Sequence, residues 1–471
     1  MAQTAGSAQE RGNPPVFDVA VIGAGVVGAA LARQFTLDGA RVVVLEKAAD
    51  VLDGASKGNS AILHTGFDAP EGSVELACIR EGYAAYLDIR QRLGLPLIRA
   101  GAMVLAWTDE EAAEIPKLMA QAHANGVGDI APLTAAAARA LEPALSPALR
   151  GGFRVPGEYL IDPWSAAHGY LLQALVNGAV LMRSAEVLSG HRADGRWQIE
   201  TAAGPVAADL VINAAGLWGD VVDRRLTGQS WFTIRPRKGQ FVVYDKPAAA
   251  LAGHILLPVP NKITKGVVVC RTAFGNLLVG PTAEEQEDRA HAVLDRATMQ
   301  ALVRRGEEIL PALAGHEVTA IYAGLRPATE EKEYRIRTDL AEGYICVGGI
   351  RSTGLSAALG IAAHIARLAG RGDAPLADPL WPEMPALSDE DLRDWRKPGH
   401  GGILCHCEMV TRREVEAALQ GPLAARSMGG LKRRTRVTMG RCQGFYCSAE
   451  LAQVTEGRLV QPMLGGDDGN G

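Results

Sequence analysis

The stretch "FDVAVIGAGVVGAALARQFTLDGARVVVLEK", residues 17–47, decides the fold class. An apolar run ends at Gly23-Ala24-Gly25-Val26-Val27-Gly28, an apolar-periodic segment follows, and a second apolar run closes on Glu46. This reads as strand, tight turn, helix and strand. It is the opening unit of a parallel sheet buried on both faces. Each residue type has its own reason. Gly23 makes the turn, Gly25 lets backbone approach a pyrophosphate, Gly28 lets the helix pack on the strand, and the helix N-terminus favours phosphate charge. Glu46 is placed to accept from an adenosine ribose hydroxyl and to repel a 2′-phosphate.

The pattern alone does not separate NAD from FAD. A second glycine turn, "VGGIRSTGLSAA" (347–358), again runs into a helical pattern and brings Gly349, Ile350, Arg351 and Thr353 toward a ligand. One extended dinucleotide touching both halves suits FAD better than NAD. The competing reading of Arg351 is a surface loop residue.

Outward from this unit the chain alternates. "DGASKGNSAILHTGFDAPEGS" (53–73) reads as loop with one short strand, and helical patterns follow at 74–93 and 109–125. Strand-like and helical runs interleave from about 150 to 345, so the expected class is α/β. A Rossmann-like dinucleotide-binding domain carries an inserted mixed-sheet substrate subdomain. The boundaries expected are a disordered leader over 1–15 and a discontinuous nucleotide-binding part near 16–75, 150–225 and 320–370. The subdomain takes mainly 76–149 and 226–319, and a Pro- and Gly-rich linker spans 371–400. A small α-rich domain over 401–455 and a flexible tail over 456–471 close the chain.

That small domain holds four of the seven cysteines, Cys405, Cys407, Cys442 and Cys447. Four thiolates so close bind a [2Fe–2S] cluster or structural zinc, and the Cys-x-Cys pair leans away from zinc without excluding it. Between the pairs, Thr411 and Glu414 form a capping box, and Gly421 with Pro422 stops the helix it opens. The run Lys432, Arg433, Arg434, Arg436 and Arg441 reads as charge compensation for an anionic cluster, a docking face for an acidic partner, or a solvated helix face. Cys270 and Cys346 end strand-like runs and read as reduced, half-buried thiols.

A formal net charge of −5 gives no overall basic field, which argues against nucleic acid as a partner. No apolar stretch approaches the ~18–20 residues of a spanning helix, and the first residues show no secretory pattern. A cytoplasmic protein is expected.

Taken together, "VAVIGAGVVGAALA", "SKGNSAILHTGF", "NAAGLWGD", "GNLLVGPTAEE" and "YAGLRPATE" resemble the FAD-dependent oxidoreductases grouped with D-amino-acid oxidase. Within that group they are nearest the anaerobic-type glycerol-3-phosphate and L-2-hydroxyglutarate dehydrogenase branches. "CHCEMV" with "TRVTMGRCQGFYC" is similar to the bacterioferritin-associated-ferredoxin-like domain that binds [2Fe–2S]. The resemblance covers roughly residues 16–455. It implies that Gly23, Gly25, Gly28, Glu46 and Lys47 hold the adenosine diphosphate of FAD, with Ser56, Asn59 and Ser60 beside the phosphates and flavin. It places Ala215, Gly216, Gly349, Arg351, Thr353, Gly354 and Leu355 near the cofactor, and the four cysteines on the cluster.

The same resemblance puts His64 at the flavin's reactive face and Arg326 on the substrate's anionic group. His64 is then the expected base and Arg326 the clamp, with the acids of "TEEKEY" as competing partners for Arg326. Arg271 and Lys265 are expected to add positive charge, and Tyr159 to line the pocket. One departure stands out: "CRTAF" (270–274) replaces a Pro-Thr-x-His-like run. The expected reaction is dehydrogenation of a small anionic hydroxy substrate, with electrons leaving through the cluster. They would pass to an acceptor protein or second flavoprotein subunit in a hetero-oligomer, at the membrane only through a partner. The alternatives are an amine or imino-acid dehydrogenase and a non-catalytic electron-transfer subunit.

Overall fold

The computed structural model describes residues 14–260, 266–371, 375–461 and 463. The expected leader up to residue 13, Lys265, and the tail beyond residue 463 lie outside the described residues. β1 (Val16–Ile22), α1 (Val26–Leu37) and β2 (Val42–Leu45) form the opening unit as the sequence requires. In the first sheet, β1 lies between β2 and the strand Val206–Asn213, parallel to both. Tyr344–Gly348 and Val180–Met182 extend the parallel set on either side.

Alternation on these strands explains why both faces are apolar. Val19, Val21, Val42 and Val44 enter a core shared with α1, the helix Pro163–Val176 and the helix Gly354–Leu368. Ala20, Ile22, Val43 and Leu45 enter a second core on the opposite face, with Val222 and Leu226 of the helix Gly219–Thr227. The chain leaves β1 toward β2, whereas its other neighbour comes much later in sequence. Such a reversal opens a crevice at the carboxyl ends of the strands, where Gly23 lies.

The second sheet is mixed. Ala102–Ala106 and Ile255–Pro258 run parallel, and the other pairings are antiparallel, including the long pair Arg235–Tyr244 with Val318–Ala328. The division between the halves differs from the expected one. The helix Val74–Ile89 packs on the first core through Leu76, Cys78, Ile79 and Tyr86. Conversely, Gly151–Val155 and Val318–Ala328 belong to the second sheet. Local periodicity marked these elements, but only the tertiary pairing decides which sheet claims them.

The small C-terminal domain is a two-stranded ribbon, Ile403–Cys405 with Val410–Thr411, and the helices Arg412–Ala418, Met428–Thr435 and Ser448–Thr455. The capping box at Thr411 and Glu414 is present. The described part of 371–400 is a strap rather than a free tether. Leu376 and Met384 donate backbone hydrogen bonds to Leu37 and Leu93, and Trp381 lies under the guanidinium of Arg92 at 3.6 Å. Cys270 and Cys346 are wholly buried, not half-buried, because both strands are interior. Among the described residues no helix is long and apolar enough to cross a membrane.

Candidate functional site

A cavity of about 960 Å³ runs from the carboxyl end of β1 to the second sheet. At its β1 end Gly23 has φ +101°, and a Cβ on Gly28 would stand 1.8 Å from the Gly23 carbonyl oxygen. Only glycine fits either position. Glu46 lines the cavity with Oε2 accepting from Ala24 N and Oε1 from Ala48 N, both at 2.8 Å. Lys47 places its ammonium 3.8 Å over the Trp218 ring. Ser56 Oγ accepts from Val26 N at 3.0 Å, at the N-terminus of α1. Asn59 ties its own turn through Ser56 O and Ala61 N, while Tyr322 donates to its carbonyl.

Ser60, Ala215, Gly216, Gly349, Arg351, Thr353, Gly354 and Leu355 line the same cavity. Gly28 does not: it lies behind the turn, against Gly23. Arg351 adopts φ +55°, the left-handed region that costs a residue with a side chain roughly 1–2 kcal/mol. It is not a loose surface residue, since its guanidinium is tied to the Lys332 carbonyl. Apart from Ser184 and Asp194, the left-handed non-glycine residues among those described fall into two groups. Arg351 lines this cavity and Leu52 and Ala61 adjoin its lining residues Asp53, Ser60 and Ile62, whereas Met409, Arg436, Thr438 and Gln443 belong to the C-terminal domain. Strain of this kind concentrates at functional sites.

His64 reaches the cavity with Nδ1 2.8 Å from Glu158 Oε2. Glu158 is wholly buried, and its Oε1 accepts from Thr65 N and Thr65 Oγ1, both at 2.7 Å. Glu158 Oε2 as acceptor places a proton on Nδ1, so in the neutral tautomer Nε2 is the ring nitrogen with the lone pair. Glu158 is the residue that the sequence pattern did not single out. It stands next to Tyr159, which instead stacks on Tyr83 at 5.9 Å and does not line the cavity. Glu158 stands in the loop just before the two-residue strand Tyr159–Leu160, which pairs with Ile62–Leu63, the strand that leads into His64.

On the second-sheet wall Arg326 donates to the carbonyls of Thr282 and Lys238, and among the described residues it meets no carboxylate. Two of the three acids of "TEEKEY" are taken by Arg335, which pairs with Glu330 at 2.8 Å and Glu331 at 2.6 Å. Burial, and then the charges of Arg237 and Arg351, push Arg326 down to about 10, so it stays cationic at neutral pH. Arg237 and Lys332, not foreseen, also line the cavity. Arg271 does not; it faces Glu390 at 3.9 Å.

The departing segment "CRTAF" has another use. Phe274 is stacked between Trp164, at 5.5 Å, and the guanidinium of Arg436, at 4.2 Å. Three members of the basic run are turned inward. Arg433 and Arg434 are buried against Asp53 and Asp50, and buried Arg436 pairs with Glu408 and donates to the Phe274 carbonyl. These three fasten the C-terminal domain to the body and form no solvated face, whereas Arg441, paired with Asp245 at 2.6 Å, stays exposed.

The cysteines come together as two pairs, Cys405 with Cys447 and Cys407 with Cys442, each within reach of a shared hydrogen bond. Among the described residues no three such side chains converge as on a single metal ion. The backbone N–H of Tyr446 and, more weakly, those of Gly444 and Phe445 hold the Cys442 thiol below its ordinary value. Four thiols with inward amides fit an anionic [2Fe–2S] cluster.

The FAD-dependent oxidoreductase family model matches residues 18–368. The chain belongs to this family. The BFD-like [2Fe-2S] binding domain matches residues 403–456. The chain is 30% identical over 450 residues to a glycerol 3-phosphate dehydrogenase of Caloramator mitchellensis, covering 93% of this chain and 94% of that one. It is 25% identical over 505 residues to one subunit of the anaerobic glycerol-3-phosphate dehydrogenase of Escherichia coli (strain K12), covering 93% and 88%. Among solved structures it is similar to the dithionite-reduced L-alpha-glycerophosphate oxidase of Mycoplasma pneumoniae with FAD bound. That match has a TM-score of 0.73 at 25% identity and covers 78% of this chain and 98% of that one. The protein is therefore an FAD-dependent oxidoreductase that also carries a [2Fe–2S] domain. The cavity fits the flavin nucleotide: the glycine turn is open at Gly25, Glu46 is at its edge, and the second glycine turn borders the far end.

Proposed function

We propose that this protein oxidises glycerol 3-phosphate at its secondary alcohol and passes the electrons through the cluster to a separate acceptor protein. The observation that carries the reading is Arg326, a cavity-lining cation whose partners among the described residues are carbonyls alone. A phosphate dianion would supply the charge that the chain does not, and a planar guanidinium binds it in two parallel hydrogen bonds. Arg237, Arg351 and Lys332 add positive potential along the same wall. The names of the two relatives support phosphate over the carboxylate of a 2-hydroxy acid.

Bound FAD supplies the acceptor for the hydride of the C–H bond. Gly23, Gly25, Glu46, Lys47 and Ser56 would hold its adenosine diphosphate, with Gly349 to Leu355 beside the ring. His64 Nε2 takes the alcohol proton as the C–H bond breaks. Glu158 fixes the imidazole by accepting from Nδ1, and its negative charge stabilises the imidazolium that forms. Arg326 orients the substrate so that this hydroxyl meets His64.

Cys405, Cys407, Cys442 and Cys447 would hold the cluster. Its domain is fastened to the same chain's FAD-binding half, which supports electron transfer within one chain before the exit to a partner. The Escherichia coli relative is named as one subunit of its enzyme, which supports a hetero-oligomer that reaches the membrane only through that partner.

Anaerobic titration of the purified protein tests the reading. Flavin absorbance is expected to bleach with glycerol 3-phosphate and to persist with L-2-hydroxyglutarate, proline and sarcosine. Bleaching by an amine with none by glycerol 3-phosphate refutes it. Flavin that stays oxidised with every donor restores the non-catalytic alternative.

A further inference from the structure

We infer that the iron–sulfur domain holds the FAD-binding loop in shape, and that Asp50 is the positioning residue through which it does so. Asp50 belongs to the FAD-binding half, follows β2, and is buried. Nearly every contact of its carboxylate is to the other domain. Oδ1 accepts from Arg434 at 2.8 Å, and Oδ2 accepts from Arg426 N at 2.8 Å and Ser427 N at 3.3 Å. Its one local contact is with Val51 N, at 2.8 Å. A Cβ on Gly430 would stand 1.8 Å from Oδ2, so the carboxylate is seated tightly against the first turn of the helix Met428–Thr435.

The grip extends along the loop. Arg433 donates to the Val51 carbonyl at 3.0 Å and faces Asp53 at 3.5 Å. Asp53 lines the FAD cavity, as do Ala55, Ser56 and Lys57 beyond it. Leu52, in the left-handed conformation at φ +60°, donates to the Ala24 carbonyl at 3.1 Å. Ala24 is the middle residue of the Gly23-Ala24-Gly25 turn and itself donates to Glu46. A hydrogen-bonded line therefore runs from the C-terminal domain into the glycine turn. At the other end of the same helix Arg436 pairs with Glu408, the neighbour of Cys407. One helix thus touches the FAD loop along its length, through Gly430, Arg433 and Arg434, and the cluster loop just past its last turn.

Two sites that share a rigid element are coupled, and the coupling is reciprocal. Cluster loss loosens the helix, releases Asp50 and Arg433, and lets the 50–57 loop depart from the shape FAD needs. The full-length protein provides the test, with FAD affinity measured by flavin fluorescence on titrating FAD-free material, and cluster content by iron and sulfide analysis. Asp50→Asn and Arg434→Met are each expected to weaken FAD by about tenfold while iron stays stoichiometric, with Arg434→Lys restoring part of the loss. The double variant is expected to be no worse than the weaker single one. FAD affinity within about twofold of the parent in both single variants overturns the inference, as does a double variant in which the two losses add. Should the variants not fold, the parent serves. Chelator-stripped protein is expected to bind FAD about tenfold more weakly until the cluster is rebuilt, and unchanged affinity refutes the coupling.

Discussion

His64 Nδ1 stands 2.8 Å from Glu158 Oε2, and Glu158 is wholly buried beneath it. The carboxylate is saturated by donors: the imidazole on one oxygen, and the Thr65 amide and hydroxyl on the other. A carboxamide at this position would turn an N–H toward a group that is already a donor. Glu158→Gln is therefore expected to force the wrong imidazole tautomer and lower kcat by about 10²–10⁴-fold, with little change in KM. Steady-state assay with glycerol 3-phosphate and a one-electron dye reads the split. A variant whose loss lies in KM alone would remove Glu158 from the proton-transfer step.

Arg326 is expected to act on binding first. Replacing it with Met removes charge-assisted hydrogen bonds each worth roughly 1.5–3 kcal/mol, so KM for glycerol 3-phosphate is expected to rise about 10–100-fold. Because Arg237 and Arg351 already lower its affinity for a proton, an anion arriving here relieves repulsion as well as making bonds. Inhibition by inorganic phosphate is expected to weaken in parallel with KM. Phosphate inhibition unchanged in Arg326→Met would place the anion elsewhere.

The sequence carried local chemistry well and tertiary partnership poorly. The strand, turn and helix from residue 17 onward were legible because glycine spacing and apolar alternation are local, and the capping box at Thr411 was legible for the same reason. Glu158 was not, because its role depends on His64, distant in sequence, and nothing around it differs from an ordinary turn. Arg433, Arg434 and Arg436 misled in a related way. A run of like charges reads as solvated until the acids that bury it, Asp50 and Asp53 from the other end of the chain and Glu408 closer by, are placed beside it. The sequence offers Arg271 as a second positive contact beside the clamp Arg326, yet only Arg326 lines the cavity.

The cluster ligands give a separable prediction. Cys442 is the thiol most surrounded by backbone donors, and Cys442→Ser is expected to abolish the cluster's visible absorbance and electron paramagnetic signal. With FAD supplied at saturation, glycerol 3-phosphate is expected still to bleach the flavin while reduction of a one-electron acceptor falls. Unchanged acceptor reduction by cluster-free protein would show that electrons leave from the flavin directly.

Between the domains lies His168, wholly buried, with Nε2 lacking any hydrogen-bond partner among the described residues. Burial first, and then the charges of Arg434, Arg433 and Arg183, push it well below its ordinary 6.5, so it is neutral in the folded protein. When the chain unfolds it regains its ordinary affinity for a proton, so the unfolded state binds more protons below pH 6.5. Stability is therefore intact above that pH and declines as pH falls through it, by up to about 1.4 kcal/mol per unit. Asp50 behaves differently. Burial pushes it up, but Arg434 and the backbone donors outweigh burial and hold it below 3.8, so its contribution is lost only at more acid pH. His364, lowered by burial and then by Arg367, contributes in the same direction as His168. The comparison of variants is thus the decisive measurement: His168→Leu is expected to flatten the decline in denaturation midpoint between pH 6.5 and pH 5, and an identical slope in parent and variant would sink the assignment.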